Sequence, residues 1–345
     1  MRQIVMSSLS GRLHLFVGAL VVCCTLLLTG CSPFTGLFDR HTPPARPPRP
    51  AGGPANASVP VTGCGRSMPT MPGSSINLTI NVNPALARGN ATRMYIVHVP
   101  SGYRQNQALP LVLAFHGHGG NAGEMERVTG FSQLADGQNF IVVYPQGLLE
   151  GDSGLTFWAT GAVDYGVDDV QYVSGVLDDV EQRLCVDTHR IYAAGFSNGG
   201  GMTGLLACRL SGRIAAFAAV SGQFFFPVGG CHPGRAVPVL EVHGTADRIV
   251  PYMGVPASQD PVRPLPTIPD WLRDWATRDN CSARPVVFLQ TLAVIGEQWM
   301  GCQGNTTVIH YRMENGDHVW PDTLGDQPGS TAIWNFLQSH PLPTS

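Results

Sequence analysis

Short apolar runs alternate with amphipathic stretches along most of this chain, and this alternation limits the possible folds more than any other feature. Continuous apolar runs of this length suit strands that are buried on both faces. Strands are predicted at 94–99, 111–115, 141–144, 190–194, 215–220, 237–242 and 308–313. Helices are predicted at 122–135, from Asp168 onward, after Ser197, around Trp271 and Trp275, and at 331–337. Such repeated alternation predicts an α/β domain with a mainly parallel, doubly wound sheet and helices on both faces.

The stretch that begins with Asp168 and Asp169 illustrates why these segments are predicted to be helices. Its two acids suit the positive end of a helix dipole. Its apolar residues recur every three or four positions, which places them on one helical face: Val170, Val173, Leu177, Val180 and Leu184. The chain has 345 residues and shows no internal repeat. We therefore expect a single catalytic domain at 64–345, with one large core.

Lysine is absent from the sequence, so all 21 basic residues are arginine. This absence excludes a P-loop lysine, a pyridoxal Schiff base and a Ser-Lys dyad. Charged residues make up only 13% of the chain, the formal net charge is -3, and no basic run occurs. Neither disorder nor nucleic-acid binding is predicted from this composition. Any nucleophile must be activated by another group, and histidine is the first choice.

The beginning of the chain has the features of an export signal. Arg2 and Arg12 precede an apolar run at 15–28. The four residues Leu-Thr-Gly-Cys that end at Cys31 resemble a bacterial lipobox, in which a peptidase cuts before the cysteine and the thiol carries a lipid. We expect a lipoprotein signal peptide at 1–30 and lipidation of Cys31. An ordinary cleaved signal peptide and an uncleaved anchor are the alternatives.

A proline-rich stretch at 31–63 follows the signal peptide. Proline fits neither a helix interior nor a central strand, so a semi-extended tether is predicted here. Seven of its prolines are Pro43, Pro44, Pro47, Pro48, Pro50, Pro54 and Pro60. The catalytic domain is therefore expected to be an extracytoplasmic monomer, whose only membrane contact is the lipid anchor.

Six cysteines fall within the predicted domain: Cys64, Cys185, Cys208, Cys231, Cys281 and Cys302. An even number in an exported chain favours disulfides, and fifteen connectivities are open. Cys281 and Cys302 flank two apolar runs and are predicted to staple a hairpin. No two cysteines have the spacing of a zinc site, so no metal is expected.

The sharpest local motif is Gly-Phe-Ser-Asn-Gly at 195–199. It lies between a predicted strand and a predicted helix, which is the setting of a nucleophile elbow. The serine of an elbow occupies a strained turn, and a Cβ two positions away would strike the neighbouring strand or helix. Ser197 is therefore the predicted nucleophile, and a glycine-rich loop without a catalytic role is the alternative.

A serine hydroxyl is a poor nucleophile until a base takes its proton. His318 is the predicted base, because it follows the last strand and comes last in the order serine, acid, histidine. Asp247 lies just past the strand that ends at Val242 and is predicted to orient the imidazole. Asp317 is the rival acid, but neighbouring side chains in an extended chain point apart.

Two backbone N–H groups are needed to bind the negative charge that develops on an attacked carbonyl oxygen. The N–H group of Asn198, directly after the nucleophile, is one predicted donor. The other is that of His118 in the segment His-Gly-His-Gly-Gly at 116–120, where glycines let the backbone approach a substrate. His116 and His118 could instead form half of a metal site, although no third ligand is close in the sequence.

Seven ordered motifs together resemble the family that groups polyhydroxybutyrate depolymerase-like esterases with the feruloyl and acetylxylan esterases of carbohydrate esterase family 1. They are Leu-Ala-Phe-His-Gly at 113–117, Tyr-Pro-Gln-Gly at 144–147, Val-Asp-Asp-Val at 167–170, Cys-Val-Asp-Thr-His-Arg-Ile-Tyr at 185–192, Gly-Phe-Ser-Asn-Gly-Gly at 195–200, His-Gly-Thr-Ala-Asp at 243–247 and His-Val-Trp-Pro at 318–321. The resemblance spans 64–337 and implies an α/β-hydrolase fold. It also implies a triad of Ser197, Asp247 and His318, no cofactor, and secretion. The residue at position 118 varies among relatives.

The resemblance further implies a serine esterase that hydrolyses carboxylic esters through an acyl-enzyme. Feruloyl or acetyl esters of plant polysaccharide are the expected substrates, and polyhydroxyalkanoate depolymerisation is the alternative. A peptidase and a non-catalytic surface binding protein on a hydrolase scaffold are hypotheses of other classes. Trp158 and Trp320 are predicted to contact the substrate. Tyr165 and the phenylalanines at 224–226 are further candidates, with burial in the core as the alternative.

Overall fold

The computed structural model describes residues 63–161 and 166–343. The predicted signal peptide, Cys31, the tether up to residue 62, and Tyr165 lie outside the described residues. Among the residues that are described, no helix is both long enough and apolar enough to cross a membrane.

A ten-stranded sheet lies at the centre of the described part of the chain, with two small hairpins beside it. The strands are β1 (Ser74–Asn81), β2 (Thr92–Val99), β3 (Leu109–Phe115), β4 (Ile141–Pro145), β5 (Leu148–Leu149), β6 (Thr156–Phe157), β7 (Val186–Phe196), β8 (Ala216–Val220), β9 (Val239–Gly244), β10 (Val286–Gln290), β11 (Val294–Trp299), β12 (Val308–Met313), β13 (Thr323–Leu324) and β14 (Gln327–Pro328). The order across the large sheet is β1-β2-β4-β3-β7-β8-β9-β12-β11-β10.

The strands in the middle of the sheet, from β4 across to β12, are parallel to one another. Two further strands lie at each edge, β1 and β2 on one side and β11 and β10 on the other. Each of them pairs in the antiparallel direction with its neighbours. Every residue of β3 and β4 is buried, as expected for apolar runs covered on both faces. The predicted mainly parallel sheet is therefore confirmed.

Helices cover both faces of the sheet. They are α1 (Ala122–Thr129), α2 (Phe131–Gln138), α3 (Asp169–Arg183), α4 (Asn198–Arg209), α5 (Ile268–Arg278) and α6 (Gly329–Gln338). Short 3-10 helices lie at Pro84–Leu86, Gly151–Ser153 and Gln303–Asn305. One apolar core contains residues of α3, α4 and α5. A second core contains residues of α1, α2 and α6. Successive residues of β3 alternate between these two cores, so the sheet separates them.

The prediction of one continuous helix at 122–135 is wrong, because the structure has two helices there. Gly130 separates α1 from α2 and has a φ of 60°. Glycine adopts this left-handed conformation without the steric cost of a Cβ, so it ends α1 and lets the chain turn.

The six predicted disulfide cysteines pair as Cys64–Cys185, Cys208–Cys231 and Cys281–Cys302. The last pair encloses β10 and β11, so the predicted staple across a hairpin is confirmed. The first pair joins residues 121 positions apart and ends directly before β7. In the chain-entropy account, a cross-link that closes so long a loop removes much of the freedom of the unfolded chain.

Candidate active site

Four loops that carry predicted site residues follow four strands of the parallel centre. The segment containing His118 follows β3, Ser197 follows β7, Asp247 follows β9 and His318 follows β12. Parallel strands end at the same edge of a sheet, and the loops beyond their carboxyl ends meet there. The structure therefore brings the residues predicted for the triad and for the oxyanion site to one edge.

Ser197 occupies the sharp turn between β7 and α4, with φ 58° and ψ -120°. This conformation is strained for a residue with a side chain. Backbone hydrogen bonds on both sides hold it: the N–H of Ser197 donates to the oxygen of Val220, and its carbonyl accepts from the N–H of Gln223. The backbone geometry is that of a nucleophile elbow.

The glycines beside Ser197 are needed because the backbones around it approach closely. A Cβ on Gly195 would lie 2.1 Å from the carbonyl oxygen of Gly199. A Cβ on Gly199 would lie 2.2 Å from the carbonyl oxygen of Phe115. A side chain at either position would force α4 away from β7 or β3, as expected from the motif.

Asp247 and His318 form a direct hydrogen bond. Nδ1 of His318 lies 2.7 Å from Oδ2 of Asp247. The other carboxylate oxygen, Oδ1, accepts the backbone N–H groups of Ile249 and Val250, each at 2.8 Å. Burial tends to raise the pKa of Asp247, but hydrogen bonds from two imidazoles and a backbone N–H hold it well below its usual range. Since the carboxylate is ionised, Nδ1 carries the proton and Nε2 remains a proton acceptor.

Close contact between the loops after β9 and β12 makes this pair possible. A Cβ on Gly244 would lie 2.2 Å from the carbonyl oxygen of Gly316. The N–H of Ala246 donates to that same oxygen at 3.0 Å. The N–H of Asn315 donates to Oγ1 of Thr245 at 2.8 Å. Glycine at position 244 therefore allows the acid and the histidine to meet.

The carboxylate of Asp317, the alternative acid in the sequence, binds a backbone group and not the imidazole of His318. Its Oδ1 accepts the backbone N–H of His318 at 2.8 Å. The ring of His318 has Asp247 as its carboxylate partner instead. The geometry favours Asp247 as the orienting acid.

Ser197 and His318 lie on adjoining loops, although no hydrogen bond joins these two described side chains. The ring of His318 packs against that of Phe196, the residue before the serine, with centroids 4.8 Å apart. Ile249 and Val250, whose N–H groups bind Asp247, line the same pocket as Ser197. Catalytic hydrogen bonds are often long in unliganded enzymes and tighten when substrate binds.

The predicted oxyanion donors, His118 and Asn198, line this pocket with Ser197. Neither backbone N–H has an acceptor among the residues that the structure describes. The side chain of Asn198 is fixed by Trp158, whose N–H donates to its Oδ1 at 2.7 Å and whose carbonyl accepts from its Nδ2 at 3.2 Å. Two N–H groups without a protein acceptor that line one pocket can bind a developing negative charge.

The side chains of His116 and His118 both contact protein groups. Nδ1 of His116 donates to the oxygen of Gly117 at 2.8 Å, and its Nε2 accepts the N–H of Gly147 at 3.0 Å. Burial lowers the pKa of His116 to about 4, so the ring is neutral. Nε2 of His118 lies 2.9 Å from Oε2 of Glu150. Within 63–161 and 166–343, no group of three or more His, Cys, Asp or Glu side chains could hold a metal ion.

The two tryptophans predicted to contact substrate lie in different places. Trp158 lines the pocket and donates from Nε1 to the carbonyl oxygen of His116 at 2.8 Å. Trp320 is not among the pocket residues. Its ring packs edge-on against Phe131 of α2, and its Nε1 donates to Oγ of Ser330 on α6. The structure disagrees with the prediction for Trp320, because this ring fills the core beside α2 and α6.

Residues outside the sequence motifs complete the pocket, whose volume is about 230 Å³. Its aromatic wall consists of Phe157, Trp158 and Phe225. Its polar side chains outside the predicted site are Glu150, Thr160, Gln223 and Arg263. These polar residues lie on loops without periodicity or a motif, so nothing in the sequence indicates their convergence.

The three successive phenylalanines have three different environments. Phe224 is buried and stacks on Trp271, with ring centroids 3.7 Å apart. Phe225 lines the pocket, and residue Phe226 is 58% exposed. Core burial is therefore right for Phe224, and substrate contact stays a prediction for Phe225.

A buried ion pair between Arg93 and Asp169 holds the segment next to Trp158 in the pocket wall. Arg93 donates to Oδ1 of Asp169, and Oδ2 of that carboxylate accepts the N–H of Ala159 at 2.7 Å. The guanidinium of Arg93 also lies 3.6 Å from the centroid of the Tyr172 ring. Asp168 caps α3, as the helix prediction requires. Asp169 has the further role of fixing the residue after Trp158.

A family model described as "Esterase PHB depolymerase" matches residues 93–275. "Probable feruloyl esterase C" of Aspergillus clavatus is 33% identical over 268 residues, which cover 74% of this chain and 88% of that protein. "Feruloyl esterase B" of Piromyces equi is 30% identical over 257 residues, which cover 73% of this chain. The chain spans 46% of the length of that longer relative.

Among solved structures, "Acetyl xylan esterase from Aspergillus awamori" aligns with a TM-score of 0.55. The alignment covers 76% of this chain and 98% of that chain, at 13% sequence identity. A likeness at this identity concerns the fold alone. Together with the sheet order, it confirms the predicted α/β-hydrolase fold.

Proposed function

Because the chain belongs to the PHB depolymerase family of esterases, we propose that it is a serine esterase that hydrolyses carboxylic esters. One arrangement carries this proposal: a serine on a strained turn lies in a pocket with two uncommitted N–H groups. The Asp247–His318 pair is at the same edge of the sheet. Nucleophile, base and oxyanion donors are the groups that acyl transfer requires.

In the proposed mechanism, Nε2 of His318 takes the proton of Ser197 as Oγ attacks the ester carbonyl carbon. The carbonyl oxygen becomes an oxyanion, which the N–H groups of His118 and Asn198 bind. The imidazolium, stabilised by Asp247, gives its proton to the leaving alcohol, and the acyl group stays on Ser197. Water then attacks the acyl-enzyme by the same route and releases the acid.

We propose that the acyl group is aromatic, as in feruloyl esters of plant polysaccharide. The wall of Phe157, Trp158 and Phe225 suits a flat ring. Thr160 and Gln223 offer hydrogen-bond partners for substituents on that ring. An acetyl group would leave most of this cavity unfilled. Two relatives carry the name feruloyl esterase, which supports the same class of substrate.

A panel of soluble substrates tests this proposal: methyl ferulate, p-nitrophenyl acetate, short hydroxybutyrate oligomers and a peptide amide. We expect the highest kcat/KM with methyl ferulate. Phe225→Ala should lower that value about tenfold, because ring contact in the pocket is lost. It should affect p-nitrophenyl acetate much less. Phe226→Ala, a change at the exposed neighbour, is the matched control and should leave both values unchanged.

Other outcomes of the panel would contradict the feruloyl proposal. Turnover of hydroxybutyrate oligomers alone would identify a polyhydroxyalkanoate depolymerase. The exposed apolar side chains of Phe226, Ile249 and Val262, on or next to pocket residues, are the observation that favours this second candidate. Cleavage of the amide alone would indicate a peptidase. Absence of both turnover and labelling by a fluorophosphonate probe would indicate a non-catalytic binding protein.

We also propose that the protein is exported and anchored to the cell envelope by a lipid on Cys31. Three disulfides among the described residues suit an oxidising compartment. When the full chain is produced in a bacterial host, it should partition into the detergent phase of Triton X-114. Cys31→Ser should move it to the aqueous phase. Equal partition of the two proteins would contradict the lipid anchor.

A further inference from the structure

Asp247 has a second imidazole partner, in the interior of the protein. Nε2 of His243 lies 3.3 Å from Oδ2 of Asp247. This is the same oxygen that lies 2.7 Å from Nδ1 of His318. The side chain of His243 is completely buried. The carboxylate of Asp247 therefore lies between two rings, one at the pocket and one within the core.

The partners of His243 place a proton on each of its ring nitrogens. Nε2 lies 2.8 Å from the carbonyl oxygen of Val250, which can only accept. Nδ1 lies 2.8 Å from Oε1 of Glu241, which is also completely buried. Burial by itself lowers the pKa of His243, but the charge of Glu241 and the hydrogen bonds of the ring raise it to about 10. Burial likewise tends to raise the pKa of Glu241, yet the imidazolium keeps it below its usual value.

Strand β12 contributes one further buried histidine, His310, next to Glu241. Nδ1 of His310 lies 2.9 Å from Oε2 of Glu241, and its Nε2 lies 3.0 Å from the hydroxyl of Tyr252. The ring of Tyr252 is also 5.9 Å from that of His243, in an edge-on arrangement. Glu241 thus contacts both buried histidines, but only His243 reaches Asp247.

The remaining elements packed around His243 add no charge at its ring. Arg312 of β12 is in register with His243, but its Nε donates to Glu314 at 2.6 Å. The neighbouring strand β8 consists of alanine, phenylalanine and valine. Helix α5 buries Ile268, Leu272, Trp275 and Ala276, and its charged side chains are exposed. Within the described part of the chain, Glu241 and Asp247 are therefore the charged partners of His243.

We infer that His243 is a positioning residue for the Asp247–His318 pair, an internal positive charge that sets the lower pH limit of activity. The inference rests on the proposed esterase function. His318 must be neutral to take the serine proton, and the negative charge of Asp247 favours its protonated form. The positive charge of His243 on the same carboxylate oxygen offsets part of that effect, so the neutral form of His318 persists at lower pH. Glu241 keeps His243 charged in a buried place.

The pH dependence of kcat/KM for p-nitrophenyl acetate tests this inference. In His243→Gln the amide can still donate a hydrogen bond, but the positive charge is gone. The acidic limb of the profile should move to higher pH by about one unit. Glu241→Gln should move it in the same direction, because His243 loses the charge that keeps it protonated. His310→Gln, which removes the other buried histidine of the cluster, should leave the limb in place.

A folded His243→Gln protein with an unchanged acidic limb would overturn the inference, and so would an equal shift in His310→Gln. Should the variants fail to fold, nitrogen NMR of the wild-type protein labelled at histidine gives the answer. The His243 ring should remain doubly protonated across the pH range of activity, and a neutral ring there would overturn the inference. Failure of the wild-type protein to hydrolyse any ester would instead refute the proposed function. The NMR experiment would still show whether the His243 ring is charged, because it does not depend on activity.

Discussion

The Ser197→Ala protein is expected to fold as the wild type does and to hydrolyse esters about 10⁶-fold more slowly. The substitution removes only Oγ, the atom proposed to attack the ester. The backbone bonds that hold the turn, to Val220 and Gln223, do not involve the side chain. The N–H groups of His118 and Asn198 remain in place, so the residual rate should exceed that in water.

Ser221→Ala is the matched control for this experiment. Ser221 is also a buried serine with positive φ, 47°, and it follows the neighbouring strand β8. Its replacement should leave kcat/KM within about threefold of wild type, since the residue contacts no substrate in the proposed mechanism. The measurements are kcat/KM, the thermal midpoint and fluorophosphonate labelling. Normal hydrolysis by Ser197→Ala would refute the assignment of the nucleophile.

Asp247→Asn should lower kcat about 10³- to 10⁴-fold. The backbone N–H groups of Ile249 and Val250 both point at Oδ1, so the amide oxygen of asparagine must take that place. The NH₂ group then occupies the position of Oδ2, where it meets the nitrogens of His243 and His318. His318 can accept from it only as the other tautomer, with its proton on Nε2. That tautomer cannot take the serine proton.

Asp317→Asn is the corresponding control, because it changes the rival acid on the same loop. Among the described residues, the carboxylate of Asp317 accepts only the backbone N–H of His318, and an amide oxygen can accept it equally well. Activity within about threefold of wild type is expected. Measured with the same ester at saturating concentration, a larger loss in Asp317→Asn than in Asp247→Asn would show that the acid was wrongly assigned.

Much of the fold could be predicted because the central strands are covered on both faces. Full burial produces uninterrupted apolar runs, as in β3 and β4. The edge strand β1 has no such signal, since its residues alternate between half-buried and exposed and include two asparagines. The break between α1 and α2 depends on the backbone conformation of Gly130, and the periodicity of apolar residues continues across it.

The residues predicted for the triad could be assigned to one edge of the sheet because each lies in a short motif that follows a predicted strand. The sequence does not show the direction of the Trp320 side chain, two residues after His318. This side chain packs in the core instead of the pocket. The sequence of β9 does indicate a buried ionic contact at His243. In the buried strand β9, Glu241 and His243 are two positions apart and share one face of the sheet, and buried charges in such a strand require partners.

The Cys64–Cys185 bond has a mechanical consequence under the proposed attachment through Cys31. A pulling force on the chain before Cys64 passes through the two sulfur atoms to the residue that precedes β7, near the middle of the sheet. The outer strands β1 and β2 lie inside the covalent loop closed by this bond, so they bear no tension and cannot be peeled away one after the other. Reduction of this single bond would redirect the load onto β1 at the edge of the sheet.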